Sequence, residues 1–333
     1  MAISRLIPEI RLPRVFDENL NFVKGISPIK MSVDLTITPL SYSTVQLPRG
    51  ESLPRGGYVE VYTSMGSVGY FRIRSPQETF GEDITVSELE HAIVEVGDYI
   101  VRATISNQTM TATQAFQTIW GHYRGSKWQL GDISALGNEE MILDADHENV
   151  LEMLLSILGR HPDCMMSFAF NTSPWTVSVV QRGTTVEAEG RLSRNIKSAK
   201  VVYDDSELVT RCFYKYGQSS WGVMNASTIG QYGVVERVAP IESGLTQEQA
   251  QEKATVYMEK HKRPKVSVTL QAEDLSAITG EPLDAFSVGK LCRLALPEYN
   301  VIIERVITEI SWDDVYDSPE SITVTLEDEE DAQ

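Results

Sequence analysis

Short runs of alternating apolar and polar residues, cut by Pro, Gly and Asp turns, recur at both ends of this chain. A period of two ties each run to one face of a sheet. In MSVDLTIT (31–38), Val33, Leu35 and Ile37 line one side. LPRGESLPRGG (47–57) is a turn-rich connection, and its doubled LPRG lies within a single loop, so it is no internal repeat. GYVEVYT and SVGYFRIR follow as two strands around Ser64, Met65, Gly66 and Ser67, a hairpin. Strand patterns return at Lys265–Gln271, Gly289–Ala295, Asn300–Trp312 and Ser321–Leu326, with turns at Gly280 to Pro282 and Asp317 to Pro319.

Between these β-rich ends the period changes to that of helices. Thr111 and Gln114 have capping-box spacing, and Ala115, Phe116, Ile119 and Trp120 then share one face. Asp144 or Asp146 is placed to cap a second helix with the stripe Val150, Leu151, Leu154, Leu155 and Leu158, which Gly159 ends. Thr246 and Gln249 form another capping box, with Leu245 and Ala250 as a hydrophobic staple. That third helix carries Ala250, Ala254, Tyr257, Met258 and His261 on one face and stops before Pro264. The expected fold is α+β and mainly β, with two small β-barrels and an inserted αβ domain. The expected boundaries are a first barrel over 1–95 completed by about 190–239, an insertion over 96–189, a helix plus second barrel over 240–326, and an acidic tail over 327–333.

The segment GRLSRNIKSAKVVYDDSELVTRCFYKYG (190–217) reads as a β-hairpin. A basic turn at Arg194 and Asn195 opens it, Val201 and Tyr203 alternate against Val202, and Asp204, Asp205, Ser206 and Glu207 supply the turn before Leu208 to Gly217.

At 333 residues, 42% apolar and 23% charged, the chain has the balance of a folded soluble protein with two or three domains. No run approaches the roughly 20 apolar residues that span a bilayer. The N-terminus MAISRLIPEIRLPRVF has no continuous apolar core and does not read as a signal peptide. Three separated cysteines, Cys164, Cys212 and Cys292, sit in apolar sequence, as buried free thiols of a protein made in a reducing cytoplasm do. A net charge of −18 disfavours ordinary nucleic-acid binding, which needs clustered Lys and Arg. Much of the excess lies in Glu327 to Asp331, either a solvated terminus or an acidic surface past which DNA slides by like-charge repulsion.

Enzymatic chemistry has few candidates. Asp144, Asp146, His147, Glu148, His161 and Cys164 are the one local cluster with metal-ligand types. His147 opens the second helix and His161 follows its end, about 20 Å apart at 1.5 Å per residue, so they share no metal unaided. Glu90 and His91 suit acid–base work by type, but neighbours on a strand point to opposite faces. The pairs Asp204–Asp205 and Asp313–Asp314 fall in turns, and Trp128, Trp175 and Trp312 fall in strand patterns where core packing is their use. No nucleophile elbow, phosphate loop, dinucleotide fingerprint or HExxH is present. No residue is therefore assigned a catalytic, cofactor or metal role. The aromatics of YKYGQSSW (Tyr214–Trp221) suit either a receptor- or glycan-binding tip module or a subunit interface.

The 190–217 phrase resembles the "G-R-N-(I/L)-K … D-S-x-x-V-T-R" stretch that closes the first barrel in prophage tail endopeptidases and tail-associated hub proteins. Ser87–Ile100, Thr111–Phe116 with Lys127–Leu130 behind it, and Pro264–Leu275 with Val288–Lys290 resemble further phrases of that family in the same order. The resemblance spans roughly residues 60–330. It implies a hub at the tip of a phage or phage-like tail, assembled in the bacterial host cytoplasm. Such a hub is a homotrimer whose paired barrels form a pseudo-sixfold ring. The ring matches the sixfold tail tube or distal tail protein above to threefold tip or receptor-binding components below. A tape measure protein and then DNA pass its lumen without specific binding, and the chain does not insert in a membrane. Family members often append an endopeptidase or glycan hydrolase after the hub. This sequence ends at Gln333 after the second barrel, so no enzymatic role is expected; a cell-wall hydrolase with an unrecognised site is the enzymatic alternative.

Overall fold

The computed structural model describes residues 11–37, 41–76, 84–192, 194–241, 244–296 and 301–327. The acidic run after Glu327 and the first ten residues lie outside them. The chain divides into two compact units, Met1–Ala199 with Thr269–Gln333, and Lys200–Val268.

In the first unit, seven strands come from the N-terminal third: β1 (Arg14–Phe16), β2 (Phe22–Gly25), β3 (Lys30–Thr36), β4 (Tyr42–Pro48), β5 (Tyr58–Thr63), β6 (Gly66–Pro76) and β7 (Ile84–His91). Their order is β3-β4-β7-β6-β5-β1-β2, and every pair is antiparallel. The alternation read from sequence holds, with Met31 and Val33 inward on β3 and Val45 and Leu47 inward on β4. The hairpin at Ser64 and Met65 forms as expected, joining β5 to β6.

An αβ segment follows. A 3-10 turn (Ala92–Asp98) leads to β8 (Thr104–Thr111), α1 (Ala112–Trp120), β9 (Trp128–Leu130), β10 (Glu140–Asp146), α2 (Val150–Leu158), β11 (Cys164–Ala169) and β12 (Trp175–Gln181). The Thr111 hydroxyl accepts from Gln114 N and the Gln114 side chain accepts from Thr111 N, completing the expected capping box. The second helix is capped differently from the expectation. Asn149, not Asp144 or Asp146, accepts from Glu152 N at 3.1 Å, because both aspartates belong to β10 and its end. Ala115, Phe116 and Ile119 of α1 share one apolar core with Leu151, Leu154 and Ile157 of α2.

The remaining strands of the large sheet are β13 (Val186–Arg191); β14 (Ile196–Asp204) and β18 (Lys265–Glu273), which both run across a boundary of the second unit; and β19 (Leu291–Leu296), β20 (Val301–Trp312) and β21 (Ser321–Glu327). At twelve residues, β20 is long enough to serve three partners: β19, β21 and, over Glu309–Trp312, β3. It thereby stitches the C-terminal strands to the N-terminal meander. Trp312, 1% exposed, ends this seam, and its indole N–H donates to Pro319 O at 3.2 Å.

The basic turn between β13 and β14 is an internal clamp. Asn195 is buried; its Oδ1 accepts from Arg191 N at 2.8 Å and its Nδ2 donates to Glu189 O at 2.8 Å. A Cβ on Gly190 would lie 3.1–3.3 Å from Ile196 and Leu294 side chains, so the close approach of these strands favours glycine. Arg194 reaches the buried Asp284 at 2.8 Å.

The second unit holds β15 (Arg211–Tyr216), β16 (Ser220–Asn225), the short helix α3 (Ile229–Tyr232), β17 (Glu236–Val238) and α4 (Gln247–His261). The expected hairpin of 190–217 does not form. β14 lies beside β18, whereas β15 pairs antiparallel with β16 and parallel with β17. The acidic turn is real, with Ser206 N donating to Asp204 Oδ1 at 2.9 Å, but it joins strands of different sheets. Of 190–239, β14 belongs to the same 13-stranded sheet as β1–β7, beside β18, and β15–β17 form a sheet of their own. α4 starts at the expected Thr246 capping box and buries Ala250, Ala254 and Met258 against Cys212 and Tyr214 of β15. Its apolar face is matched by β15.

Replacing Asn195 by Ala would strand one buried backbone donor and one acceptor. The expected cost is about 2–4 kcal/mol, read as a lower urea midpoint at unchanged m-value. A loss under about 0.5 kcal/mol would refute the clamp.

Candidate functional site

The residue cluster nominated for metal binding does not converge. Asp146 Oδ1 accepts from Thr104 Oγ1 at 2.9 Å and lies 2.8 Å from His147 Nδ1, and Asp146 N donates to Glu148 Oε2 at 2.7 Å. These groups tie down the corner before α2, where His147 takes a left-handed φ of 59°. His161 and Cys164 lie beyond the other end of α2, where His161 N bonds Leu158 O and the Cys164 thiol faces Ala135 O at 3.4 Å. Among the described residues no three His, Cys, Asp or Glu groups are placed to hold a metal ion.

Glu90 and His91 separate as neighbours on a strand must. Glu90 faces outward to Arg74 at 3.1 Å. His91 is buried, 4.5 Å from the Phe168 ring and beside Phe71 and Phe170, and its Nδ1 accepts from Ile93 N at 3.3 Å to cap the 3-10 turn. Burial among aromatic rings pushes its imidazole down to about 3, so it is neutral at physiological pH and caps as an acceptor.

Next to it stands a polar constellation absent from the sequence reading. Glu95, in the 3-10 turn, accepts from Tyr58 Oη of β5 at 2.6 Å and pairs with Lys127 Nζ at 3.3 Å. The Lys127 ammonium also lies 5.3 Å from the Tyr58 ring centre, and Arg72 pairs with Asp98 at the end of the same turn. Burial first, then the Glu95 hydrogen bond, raises the Tyr58 hydroxyl far above its ordinary range. A phenol so held keeps its proton near neutrality and donates it to Glu95, fastening the αβ segment to the meander. Beside it, Trp128, Trp175, Tyr70 and Phe170 stack at 4.9–5.5 Å, against Gly69 (φ 116°), where a Cβ would fall 2.4 Å from Phe170. Trp128, Trp175 and Trp312 are thus core residues, as their strand patterns implied.

The remaining candidates are structural or exposed. Asp314 Oδ1 accepts from Tyr316 N at 3.0 Å in a turn, as Asp204 does for Ser206. Burial raises the Cys164 thiol to about 11 and Cys292 to about 12, and all three cysteines are free and buried. Of the aromatics in Tyr214–Trp221, Tyr214 is buried under α4 and Tyr216 packs against the same core; Trp221 is 54% exposed.

His91 sets a pH signature. Its folded pKa is depressed, so protons bind the unfolded chain first, and stability falls as pH drops below about 6.5 towards 3. One such group gives a slope approaching 1.4 kcal/mol per pH unit. Between pH 6.5 and 5, before carboxylates titrate, His91→Phe is expected to flatten the dependence of the urea midpoint on pH. An unchanged slope in the variant would refute the assignment.

Residues 187–331 match the family model described as prophage endopeptidase tail. Against curated proteins the sequence gives no match. Among solved structures the chain is similar to a 43 kDa tail protein of prophage MuSo2 from Shewanella oneidensis, at TM-score 0.65 and 13% identity, covering 96% of this chain and 98% of that one. It is similar to prophage tail protein gp18 from Listeria monocytogenes EGD-e, at TM-score 0.64 and 12% identity over 95% and 94% of the two chains. It is also similar to a tail protein from Neisseria meningitidis MC58, at TM-score 0.63 and 11% identity over 95% and 96%. The chain therefore has the fold of prophage tail proteins over nearly its whole length, and its C-terminal part resembles the prophage endopeptidase tail family.

Proposed function

We propose that this protein is a structural hub at the tip of a phage or phage-like tail, working as a homotrimer without catalysis. The observation that carries the reading is the fold shared with three prophage tail proteins over at least 94% of every chain compared. Two groups of strands, β1–β7 and β13, β14 with β18–β21, meet at the β3–β20 seam, and in this reading each group is one barrel-like module. Three copies then present six similar modules, which suits a sixfold tube above and threefold components below. The partners are a tail tube or distal tail protein, a tape measure protein, and a tip or receptor-binding protein. The chain's net charge of −18 supports a lumen that DNA traverses without sticking. The Tyr58–Glu95–Lys127 group, which ties the αβ segment to the sheet, supports a mechanical role.

Native mass measurement with negative-stain imaging tests this. The expected result is a particle of three 37.2 kDa chains with threefold symmetry and a central hole. A compact monomer at micromolar concentrations and above would count against the ring.

A further inference from the structure

The sheet of the second unit is covered on one face only. Cys212 and Tyr214 of β15 point under α4, so Arg211, Phe213 and Lys215 point the other way. The strand register lines up three rows on that open face. Asn225, Arg211 and Glu236 form the first, held by Arg211 Nε to Asn225 at 2.9 Å and Arg211 NH1 to Glu236 at 3.0 Å. Val223, Phe213 and Val238 form the second, an apolar row across all three strands. Trp221 and Lys215 form the third. Val223 and Val238 of the apolar row are 56% and 57% exposed and Trp221 of the next row 54%, so these side chains face solvent in the single chain.

Its charge also differs from the rest of the protein. Leu208–Val235 contains no Asp or Glu, and its cations are Arg211 and Lys215, in a chain of net charge −18. Arg211 is matched by Glu236, which leaves Lys215 beside Trp221 as the charge of an apolar face. A face that is apolar, aromatic and cationic suits an acidic protein surface, and a neighbouring copy of this chain supplies one.

We propose that this open face, centred on Phe213, Trp221, Val223 and Val238, docks onto an acidic surface of a second copy of the chain. The contact is head-to-tail: one patch meets a different patch, which is what closes a ring of three and not a twofold pair. The proposal rests on the ring reading above and names the surface that makes it.

The test is self-association of the full chain, followed by sedimentation across a concentration series, for the wild type and three variants. Val223→Glu combined with Val238→Glu replaces exposed side chains, so circular dichroism and thermal midpoint are expected to match the wild type. Assembly is expected to weaken by roughly tenfold or more. Lys215→Glu, which reverses charge without touching the apolar row, is expected to weaken assembly in the same direction, most strongly at low salt. Val223→Ile is expected to assemble as the wild type does. A folded double-Glu variant that assembles with wild-type affinity overturns this docking face and leaves the ring reading standing. A wild type that never assembles overturns both.

Discussion

Continuity of the large sheet depends on one strand having more partners than a strand normally has. β20 satisfies β19 along its first half, β21 along its second, and β3 at its end. In a strand each residue offers its backbone groups to one side or the other, so twelve residues are needed to serve neighbours that overlap only partly. Trp312 closes the seam by filling the space where β20 meets β3, with its own N–H satisfied. The N-terminal meander and C-terminal strands thus share a backbone ladder.

The αβ segment is held by different means. It leaves the sheet at His91 and is fastened by Tyr58, Glu95 and Lys127, with Arg72 and Asp98 flanking them. Buried charge is costly unless paired, so the constellation has one satisfied arrangement and specifies geometry more than it adds stability. The neighbouring aromatic stack supplies the apolar area, and Gly69 allows Phe170 to approach the β6 backbone.

Local structure was legible in the sequence wherever it depends on neighbours. Both capping boxes, at Thr111 and Thr246, read correctly because every participant lies within four residues. The strands after Pro264 read correctly because alternation survives along each of them. The 190–217 hairpin failed for the complementary reason. β14 and β15 each have strand periodicity and a genuine Asx turn between them, yet the partner of β14 is β18, which lies past the whole second unit. Turn chemistry states that the chain changes direction, not which strand it meets next. The same limit hid the Tyr58–Glu95–Lys127 group, whose members come from three separate stretches of the chain, and it left the sidedness of Tyr214 and Trp221 open. Asn149 took the cap assigned to Asp144 or Asp146 because β10 extends further than its composition suggests.

The second unit begins at Lys200 and ends at Val268, on two strands that run side by side. Neighbouring strands lie about 5 Å apart, so the chain departs and returns through almost the same point. An excursion of this kind leaves the order of the large sheet untouched. Its own strands, β15–β17, pair only with one another, and α4 packs on β15. The segment between β14 and β18 is thus an excursion that opens and closes between two neighbouring strands, with a sheet and a small core of its own.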